Sequence, residues 1–324
     1  MTVFEGTPGL WHDQGVVRPA ALLLTLLAAA SMLSGCDSSF TGTRIRLATG
    51  SAGGVYYALG GPLADQWGAQ LGIDRPQVLK TAGSPDNLIR LRQGTADVAF
   101  SAADVAEEDT ETGPRKLRAL ARVYDDYIHL VVRANGPIKT IADLGGKRVS
   151  VGSKESGVEV IAKRLLKVAR LSGVTAVSDS LDESREALKA GDIDAFFWSG
   201  GLPTSGIEEL AAQIPIRLVD LTPVLKTVRG QYPIYGTASI PASTYRLPGQ
   251  NTPVTTLVVP NFLMVTDAMP DDVAQELVRG VFLAQPELVK ASDAALSIDI
   301  HSAIDTSPVP LHPGALEYYR DAKV

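Results

Sequence analysis

An internal repeat constrains the fold of this chain more than any other feature of its sequence. The segment Asp86–Phe100 (DNLIRLRQGTADVAF) aligns with Glu183–Phe197 (ESREALKAGDIDAFF), 97 positions later. Both segments predict a helix, a glycine that ends it and a short buried strand, in the same order. The period is far too long for a solenoid. The repeat therefore predicts two lobes of similar topology, which agrees with the two-domain expectation for 324 residues.

Strands alternate with helices along the chain, which predicts an α/β architecture with largely parallel sheets. The first strand is predicted at Arg44–Thr49, and a helix follows whose apolar face runs from Tyr56 to Leu71. We expect Pro62 to kink or restart this helix, because proline lacks the N–H that the helix interior needs. Later strands are predicted at 78–80, 97–100 and 149–152.

The amino terminus has the pattern of a lipoprotein leader. The uncharged apolar run at 20–33 would span about 21 Å as a helix, short of the roughly 30 Å hydrocarbon layer. The segment 33–36 (LSGC) follows it and resembles a bacterial lipobox. We therefore expect a signal peptide at 1–35, a diacylglyceryl group on Cys36 and a polar tether at 36–43. An incidental or buried cysteine is the alternative, and two acidic residues before the apolar run depart from the usual positive start of a leader.

Three turns lead small residues into the start of a predicted helix, at 49–56, 83–87 and 153–158. The first turn of a helix has unpaired N–H groups and a partial positive charge, so it can receive a carboxylate or phosphate without Arg or Lys. In doubly wound folds such turns lie at the carboxyl ends of the strands, where ligands bind. The alternative is that strand-to-helix turns favour small capping residues in any protein. The candidate ligand-binding residues of these turns are Thr49, Gly53, Gly54, Val55, Tyr56, Ser84, Asn87, Ser153, Ser156, Gly157 and Val158.

Two of these serines also have the spacing of helix caps. Ser84 is expected to be an N-cap, because Pro85 then occupies the first helical position. Ser156 and Glu159 have the spacing of a capping box. Ser84 and Ser156 are therefore candidates both for helix capping and for ligand binding.

A segment of aromatic residues at 196–198 precedes a loop of small residues. We expect Trp198 and Gly200 to complete the wall of the ligand site. Burial of Trp198 in the core is the alternative, since large aromatic side chains pack well there.

Composition and motifs argue against several functions. The net charge of -6 argues against a nucleic-acid binder, which needs a basic face. A single cysteine excludes an intrachain disulfide and any multi-cysteine metal site. The glycine-rich turns satisfy neither the P-loop nor the Gly-x-Gly-x-x-Gly pattern. His129, His301 and His312 have no metal-ligand spacing, so we expect no metal, no cofactor and no catalytic Ser-His pair.

Taken in order along the chain, these segments resemble the TAXI family, the solute receptors of one branch of the tripartite ATP-independent periplasmic (TRAP) transporters. No single segment is specific, but their order is. At 153–158 the sequence departs from the family pattern, which has Pro or Gly before the second serine and Thr after the glycine. The segments that carry the resemblance are 49–57 (TGSAGGVYY), 83–88 (GSPDNL), 97–100 (DVAF), 143–152 (DLGGKRVSVG), 156–159 (SGVE), 194–197 (DAFF) and 311–315 (LHPGA).

The resemblance implies a two-lobed type II periplasmic-binding fold that clamps its ligand between the lobes. We place the crossovers near Val132 and Tyr232, so lobe 1 comprises 44–132 and 232–324, and lobe 2 comprises 133–231. The implied ligand is a small organic anion, such as a dicarboxylate or an acidic amino acid. The implied partner is a TRAP membrane permease driven by an ion gradient.

We therefore expect a non-enzymatic solute receptor, held outside the cytoplasm on a membrane by the lipid on Cys36. The alternative is an extracytoplasmic sensor lipoprotein that signals to a partner receptor without transport. An enzyme on the same fold is a more distant third possibility.

Overall fold

The alternation of strands and helices is present in the computed structural model, which describes residues 1–3, 6, 40–108 and 115–324. Residues 40–324 form one compact unit, and the elements below belong to it. The strands are β1 (Arg46–Ala48), β2 (Gln77–Leu79), β3 (Val98–Ala102), β4 (Leu117–Arg133), β5 (Arg148–Ser150), β6 (Thr175–Val177), β7 (Ala195–Gly200), β8 (Ile216–Leu218), β9 (Gly236–Ile240) and β10 (Val254–Thr266).

Helices connect most of these strands and cover both ends of the sheet. Short 3-10 helices lie at Ile141–Leu144 and Asp293–Ser297. The α-helices are α1 (Val55–Leu71), α2 (Ser84–Gln93), α3 (Ala103–Glu108), α4 (Gly157–Val168), α5 (Leu181–Ala190), α6 (Ser205–Gln213), α7 (Thr222–Gln231), α8 (Ala242–Tyr245), α9 (Asp271–Leu283), α10 (Gln285–Ala291), α11 (Ile300–Ala303) and α12 (Pro313–Asp321).

The strands of the described part form a ten-stranded sheet with the order β2-β1-β3-β10-β4-β7-β5-β6, in which β8 also pairs with β4 and β9 with β10. Both ends of the sheet are parallel, since β1 pairs with β2 and β3, and β5 pairs with β6 and β7. The central strands β4 and β10 are antiparallel to each other and to their other neighbours. The prediction of largely parallel sheets therefore holds for the two ends and is wrong for the centre, where the two long connecting strands run in opposite directions.

The two long strands belong to both ends of the sheet. Strand β4 pairs with β10 over Leu117–Tyr127 and then with β7 over Tyr127–Val132. Strand β10 pairs with β9 over Val254–Val258 and with β3 over Asn261–Met264. The chain thus passes between the two ends of the sheet within β4 and again within β10. The lobe boundaries at Val132 and Tyr232 stay a prediction.

The two copies of the sequence repeat form equivalent hydrogen bonds. In the first copy, Arg46 N donates to Asp97 Oδ2 at 2.8 Å; in the second, Arg148 N donates to Asp194 Oδ2 at 2.9 Å. Each aspartate thus binds the first residue of the parallel strand beside it. The glycine that ends each preceding helix has a left-handed φ, which costs glycine little. These are Gly94, with φ 67°, and Gly191, with φ 87°.

The prediction that Pro62 restarts the helix is wrong, because α1 is a single helix of 17 residues that continues through Pro62; a kink there stays a prediction. Leu59, Leu63 and Trp67 on its buried face are at most 1% exposed. The Trp67 Nε1 group donates to Leu277 O at 3.0 Å, which ties α1 to α9. Proline in a helix interior costs about 3 kcal/mol, and burying three large apolar side chains contributes more than that.

The two capping predictions need correction. Ser84 is the first residue of α2 and Gly83 is its N-cap; the Ser84 hydroxyl instead accepts from Ala102 N at 3.0 Å. Ser156 is the N-cap of α4 and accepts from Glu159 N at 3.1 Å, as predicted. The reciprocal bond of a capping box is not formed, because the Glu159 carboxylate accepts from Glu155 N at 2.8 Å.

The predicted leader lies outside the described residues. The apolar run at 20–33, Cys36 and the first half of the 36–43 tether belong to that part of the chain, so the signal peptide, the lipidation and the tether stay predictions. Among the described residues, no helix has both the length and the apolar character needed to cross a membrane.

Candidate functional site

A cavity lies where the predicted turns of the two ends of the sheet face each other. Its volume is about 60 Å³, several times the roughly 10–15 Å³ that a cavity needs to hold one water molecule. The first turns of α1, α2, α4 and α5 all contribute to its wall. Of the thirteen predicted ligand-binding residues, those that line the cavity are Gly54, Val55, Tyr56, Ser84, Ser153, Ser156, Gly157, Val158, Trp198 and Gly200.

Some residues of the segment 49–56 line the cavity, and others contact the surrounding structure. Gly54, Val55 and Tyr56 line the cavity, whereas Gly53 faces a second, shallower depression. Thr49 is fully buried, and its hydroxyl donates to Leu79 O at 2.7 Å, which ties β1 to β2. The structure therefore places Thr49 and Gly53 outside the cavity wall.

Asn87 also lies outside the cavity, at the centre of a buried hydrogen-bond network. Its Nδ2 group donates to Thr49 O at 2.7 Å and to Phe100 O at 2.8 Å. Its Oδ1 atom accepts from Thr81 Oγ1 at 2.7 Å. All polar atoms of this amide are thus used to join α2 to the ends of two strands, which supports the turns that do line the cavity.

We expect Asn87→Ala to lower the free energy of unfolding by about 2–4 kcal/mol, because it leaves buried carbonyl and hydroxyl groups without their partners. Urea denaturation followed by circular dichroism measures this change. Asn251→Ala, at an exposed loop position, is the matched control and is expected to change stability by less than about 0.5 kcal/mol. A loss below about 1 kcal/mol in Asn87→Ala would contradict the structural role.

The turn before α4 requires its glycines. Gly152 has φ +89°, and a Cβ atom there would lie 2.5 Å from Val158 Cβ. Gly157, the first residue of α4, would place a Cβ atom 3.3 Å from the Ser84 hydroxyl. The small side chains thus allow α4 to approach α2 closely across the cavity.

Direct contacts join the two sides of the cavity. Asp86 N, in α2, donates to Glu155 O, beside α4, at 3.3 Å. Ser205 Oγ, at the start of α6, donates to Gly53 O at 3.2 Å. These bonds connect turns from opposite ends of the sheet, so the two sides of the cavity are in direct contact.

Trp198 is 9% exposed, as expected for a core residue, and it also lines the cavity, as expected for a residue of the ligand-site wall. Its Nε1 group donates to Thr204 Oγ1 at 3.2 Å. A Cβ atom at Gly54 would lie 3.4 Å from its ring, and one at Gly200 would lie 2.4 Å from its Nε1. The glycines on both sides therefore give the indole the space to cover one wall.

Three carboxylates that the sequence reasoning did not single out line the cavity: Asp104, Asp126 and Asp179. Burial raises the pKa of each of them, in the case of Asp126 to about 7. A usable signal was present, because two adjacent aspartates interrupt the apolar strand β4 and neighbouring residues of a strand face opposite sides. One of that pair had to lie on a buried face.

Asp104 has a counter-ion. Arg164, in α4, donates to its Oδ2 atom at 2.9 Å, and the Tyr235 hydroxyl donates to the same oxygen at 2.5 Å. The side chains of Arg164 and Asp104 are 8% and 3% exposed. The charge of this carboxylate is therefore balanced inside the protein.

The histidines have structural environments. His129 is fully buried, with Nδ1 2.9 Å from Tyr127 O and Nε2 2.9 Å from the Tyr245 hydroxyl, and burial lowers its pKa to about 4. His312 caps α12, where its Nδ1 atom accepts from Gly314 N at 3.2 Å. Within the described residues, no group of three His, Cys, Asp or Glu side chains could hold a metal ion.

Comparison with known proteins gives a family and a fold. Residues 47–322 match the NMT1-like family. A periplasmic transporter structure has 15% sequence identity and a TM-score of 0.53, over 88% of this chain and 94% of that chain. A protein from Bordetella bronchiseptica RB50 has 19% identity and a TM-score of 0.51, over 86% and 88%. The alkanesulfonate-binding protein from Xanthomonas axonopodis pv. citri, bound to MOPS, has 16% identity and a TM-score of 0.49, over 86% and 83%.

At these identities the likeness establishes the fold. The chain has the mixed α/β fold of periplasmic binding proteins, with a central sheet and helices. The fold class expected from the sequence is confirmed.

Proposed function

The chain belongs to the NMT1-like family, and from this premise we propose that it is an extracytoplasmic solute receptor. It binds a small solute in the cavity and passes it to a membrane permease. The observation that carries the proposal is the meeting of four helix amino termini, those of α1, α2, α4 and α5, on one cavity. Each supplies the partial positive charge of its first turn to a ligand.

The finer assignment is a TAXI-type receptor of a TRAP transporter, anchored by a lipid on Cys36. The sequence segments that resemble the TAXI family support it. Five of them contribute residues to the cavity wall, namely 49–57, 83–88, 143–152, 156–159 and 194–197. The four helix termini are suited to an oxyanion, which supports a ligand with at least one carboxylate or similar group.

Release of the ligand requires the two sides of the cavity to separate. We propose that they move about β4 and β10, because each of these strands pairs with both ends of the sheet. In this proposal the first passage between lobes lies near Tyr127, and the return lies between Val258 and Asn261. Hinge motion of this kind is a common way to close a domain pair around a ligand.

The receptor binds its ligand without converting it. Among the described residues of the cavity wall there is no histidine or cysteine, and so no thiol nucleophile beside an imidazole base. The hydroxyls of Ser84 and Ser156 accept from the backbone N–H groups of Ala102 and Glu159. Both serines thus have a structural task beside any contact with a ligand.

Gly157→Leu tests the site. The new side chain starts 3.3 Å from the Ser84 hydroxyl, so it is expected to prevent closure while the helix itself still forms. Overpacking of this kind costs about 1–3 kcal/mol, so we expect the affinity for the solute to fall roughly 5- to 150-fold. Thermal-shift screening of carboxylates and amino acids first identifies a binding solute, and calorimetry then measures its affinity.

Gly230→Leu is the matched control, because a Cβ atom at this helical glycine meets nothing within 4 Å. We expect it to bind the solute as the parent does. If Gly157→Leu also keeps the affinity of the parent, the solute binds elsewhere and the proposed site is wrong.

A further inference from the structure

A cluster of charged and aromatic side chains joins the two ends of the sheet beside the cavity. Helix α3, which carries Asp104 and Glu108, directly follows β3 and packs against β3 and α2 at the first end. Helix α4, which carries Arg164, follows β5 and packs against β7 and α7 at the second end. Each contact of Arg164 with these two carboxylates therefore crosses from one end of the sheet to the other.

Residues of the second end hold the Arg164 side chain, which is 8% exposed. Its guanidinium carbon lies 4.6 Å from the centre of the Tyr232 ring and 5.6 Å from that of the Tyr235 ring. Its Nη1 group donates to the Tyr235 hydroxyl. Tyr232 directly follows α7, and Tyr235 directly precedes β9. The guanidinium is thus fixed by aromatic residues that lie next to α4 on its own side of the cavity.

Helix α3 presents two carboxylates to this guanidinium. Asp104 and Glu108 are four residues apart, so they lie on the same face of the helix. Arg164 Nη1 donates to Asp104 Oδ2 at 2.9 Å, and Nη2 contacts Glu108 Oε1. The Tyr235 hydroxyl donates to the same Asp104 oxygen at 2.5 Å. The first end of the sheet therefore supplies the anions, and the second end supplies the cation and the hydroxyl.

A buried ion pair suits two surfaces that separate and rejoin. Separation hydrates both charges, which offsets most of the attraction that is lost between them. An apolar contact of the same size would oppose separation more strongly, because exposing apolar surface to water costs free energy. Removal of one partner has a different effect, since the remaining charge is then unbalanced only while the two ends are in contact.

We propose that Arg164, Tyr235 and Asp104 form a clasp that sets how readily the two sides of the cavity separate. Arg164 and Tyr235 are its positioning residues at the second end, and Asp104 receives them at the first end. The clasp breaks when the sides move apart, and its charges are then hydrated. This inference rests on the hinge motion proposed above, and it concerns the opening of the cavity and not the choice of ligand.

Amide-resolved hydrogen exchange of the full chain, without added solute, measures the opening. The Asp86 amide donates to Glu155 O across the cavity at 3.3 Å, so separation of the two sides exposes it. The Asp97 and Asp194 amides donate to backbone oxygens within one end each, at 3.0 and 2.8 Å, so they stay protected until that end unfolds. In the parent we expect the Asp86 amide to exchange at least roughly tenfold faster than these two.

Tyr235→Phe keeps the ring beside Arg164 and removes the hydroxyl that donates to Asp104. A hydrogen bond to a charged group contributes enough for its loss to speed exchange of the Asp86 amide roughly 10- to 100-fold. Tyr232→Phe is the matched control, because it keeps the ring over the guanidinium and the hydroxyl that bonds to Asp104. Its Asp86 amide is expected to exchange within about threefold of the parent rate.

Arg164→Met leaves Asp104 without its cation while the two ends are in contact. We expect exchange of the Asp86 amide to become more than about 100-fold faster. Arg164→Lys keeps the positive charge but not the planar group, so it is expected to reverse at least about tenfold of this increase. Tyr235→Phe decides the question by itself if Arg164→Met does not fold.

The outcomes distinguish the clasp from a contact that stays intact during opening. If Tyr235→Phe leaves the Asp86 amide at the parent rate, or if Tyr232→Phe accelerates it equally, the clasp is wrong while the receptor function stands. If the Asp86 amide of the parent is as protected as those of Asp97 and Asp194, the two sides do not separate before they unfold. That result overturns the hinge motion and the clasp together. Faster exchange in Tyr235→Phe, with the parent rate in Tyr232→Phe, supports the clasp.

Discussion

The free energy of unfolding of an Arg164→Met variant is expected to be about 3–5 kcal/mol lower than that of the parent. Arg164 forms a buried ion pair with Asp104 at 2.9 Å and also contacts the Glu108 carboxylate and the Tyr235 hydroxyl. Its guanidinium carbon lies 4.6 Å from the centre of the Tyr232 ring. Methionine keeps the apolar part of the side chain but leaves the Asp104 carboxylate buried without a counter-ion. An uncompensated buried charge strongly destabilises the folded state.

Urea denaturation at pH 7 measures this loss. Lys163→Met is the matched control on the same helix: Lys163 pairs with Glu159, but its side chain is 64% exposed, so a change below about 0.5 kcal/mol is expected. The double variant Arg164→Met with Asp104→Asn removes both charges and is expected to recover most of the lost stability. An Arg164→Met variant within about 1 kcal/mol of the parent would show that the ion pair does not hold α4 against α3.

The fold and part of the site could be predicted because their signals are local. A helix, a glycine stop and a strand occur twice in the same order, and glycine is favoured at both stops because φ is left-handed there. The turn at Gly152 likewise needs a residue without a Cβ atom. Such positions can be recognised from sequence because they depend on the backbone conformation of a few adjacent residues.

The partners of the carboxylates could not be predicted in the same way, because those contacts join distant segments, even though the adjacent aspartates in β4 indicate that one of them is buried. Asp126 is buried by its place between β10 and β7 and by Ser199, which lies 73 positions away in the sequence. Asp104 obtains its counter-ion from α4, 60 positions away. Neither partner follows from spacing along the chain.

The same reasoning applies to Asn87, for which the sequence predicts ligand binding and the structure shows hydrogen bonds within the scaffold. Asn87 follows a glycine-serine turn, and both ligand-binding residues and structural amides occur at such a position. The distinction depends on whether Thr49 O and Phe100 O lie within reach, and the pairing of β1 with β3 brings them there. Polar residues beside a site are therefore harder to assign from sequence than the glycines that shape it.

We expect Asp126→Asn to stabilise the unliganded protein relative to the parent as the pH rises. Burial raises the pKa of Asp126 from 3.8 to about 7, so the folded state binds this proton more tightly than the unfolded state does. The resulting contribution to stability is fully present below about pH 4 and is lost as the pH rises to about 7. Above that pH the folded protein holds a buried, ionised carboxylate whose open oxygen has no partner.

Asparagine does not ionise. The free energy of unfolding of the variant is therefore expected to rise relative to that of the parent by about 2–3 kcal/mol between pH 5 and pH 8. The change is about 1.4 kcal/mol for each pH unit below 7. Urea denaturation of parent, Asp126→Asn and Asp125→Asn at both pH values measures it. In Asp125→Asn, where Arg122 shares a partly exposed pair, the difference from the parent is expected to change by less than about 1 kcal/mol. An advantage of Asp126→Asn that is equal at pH 5 and pH 8 would mean that the carboxylate is already ionised in the empty cavity.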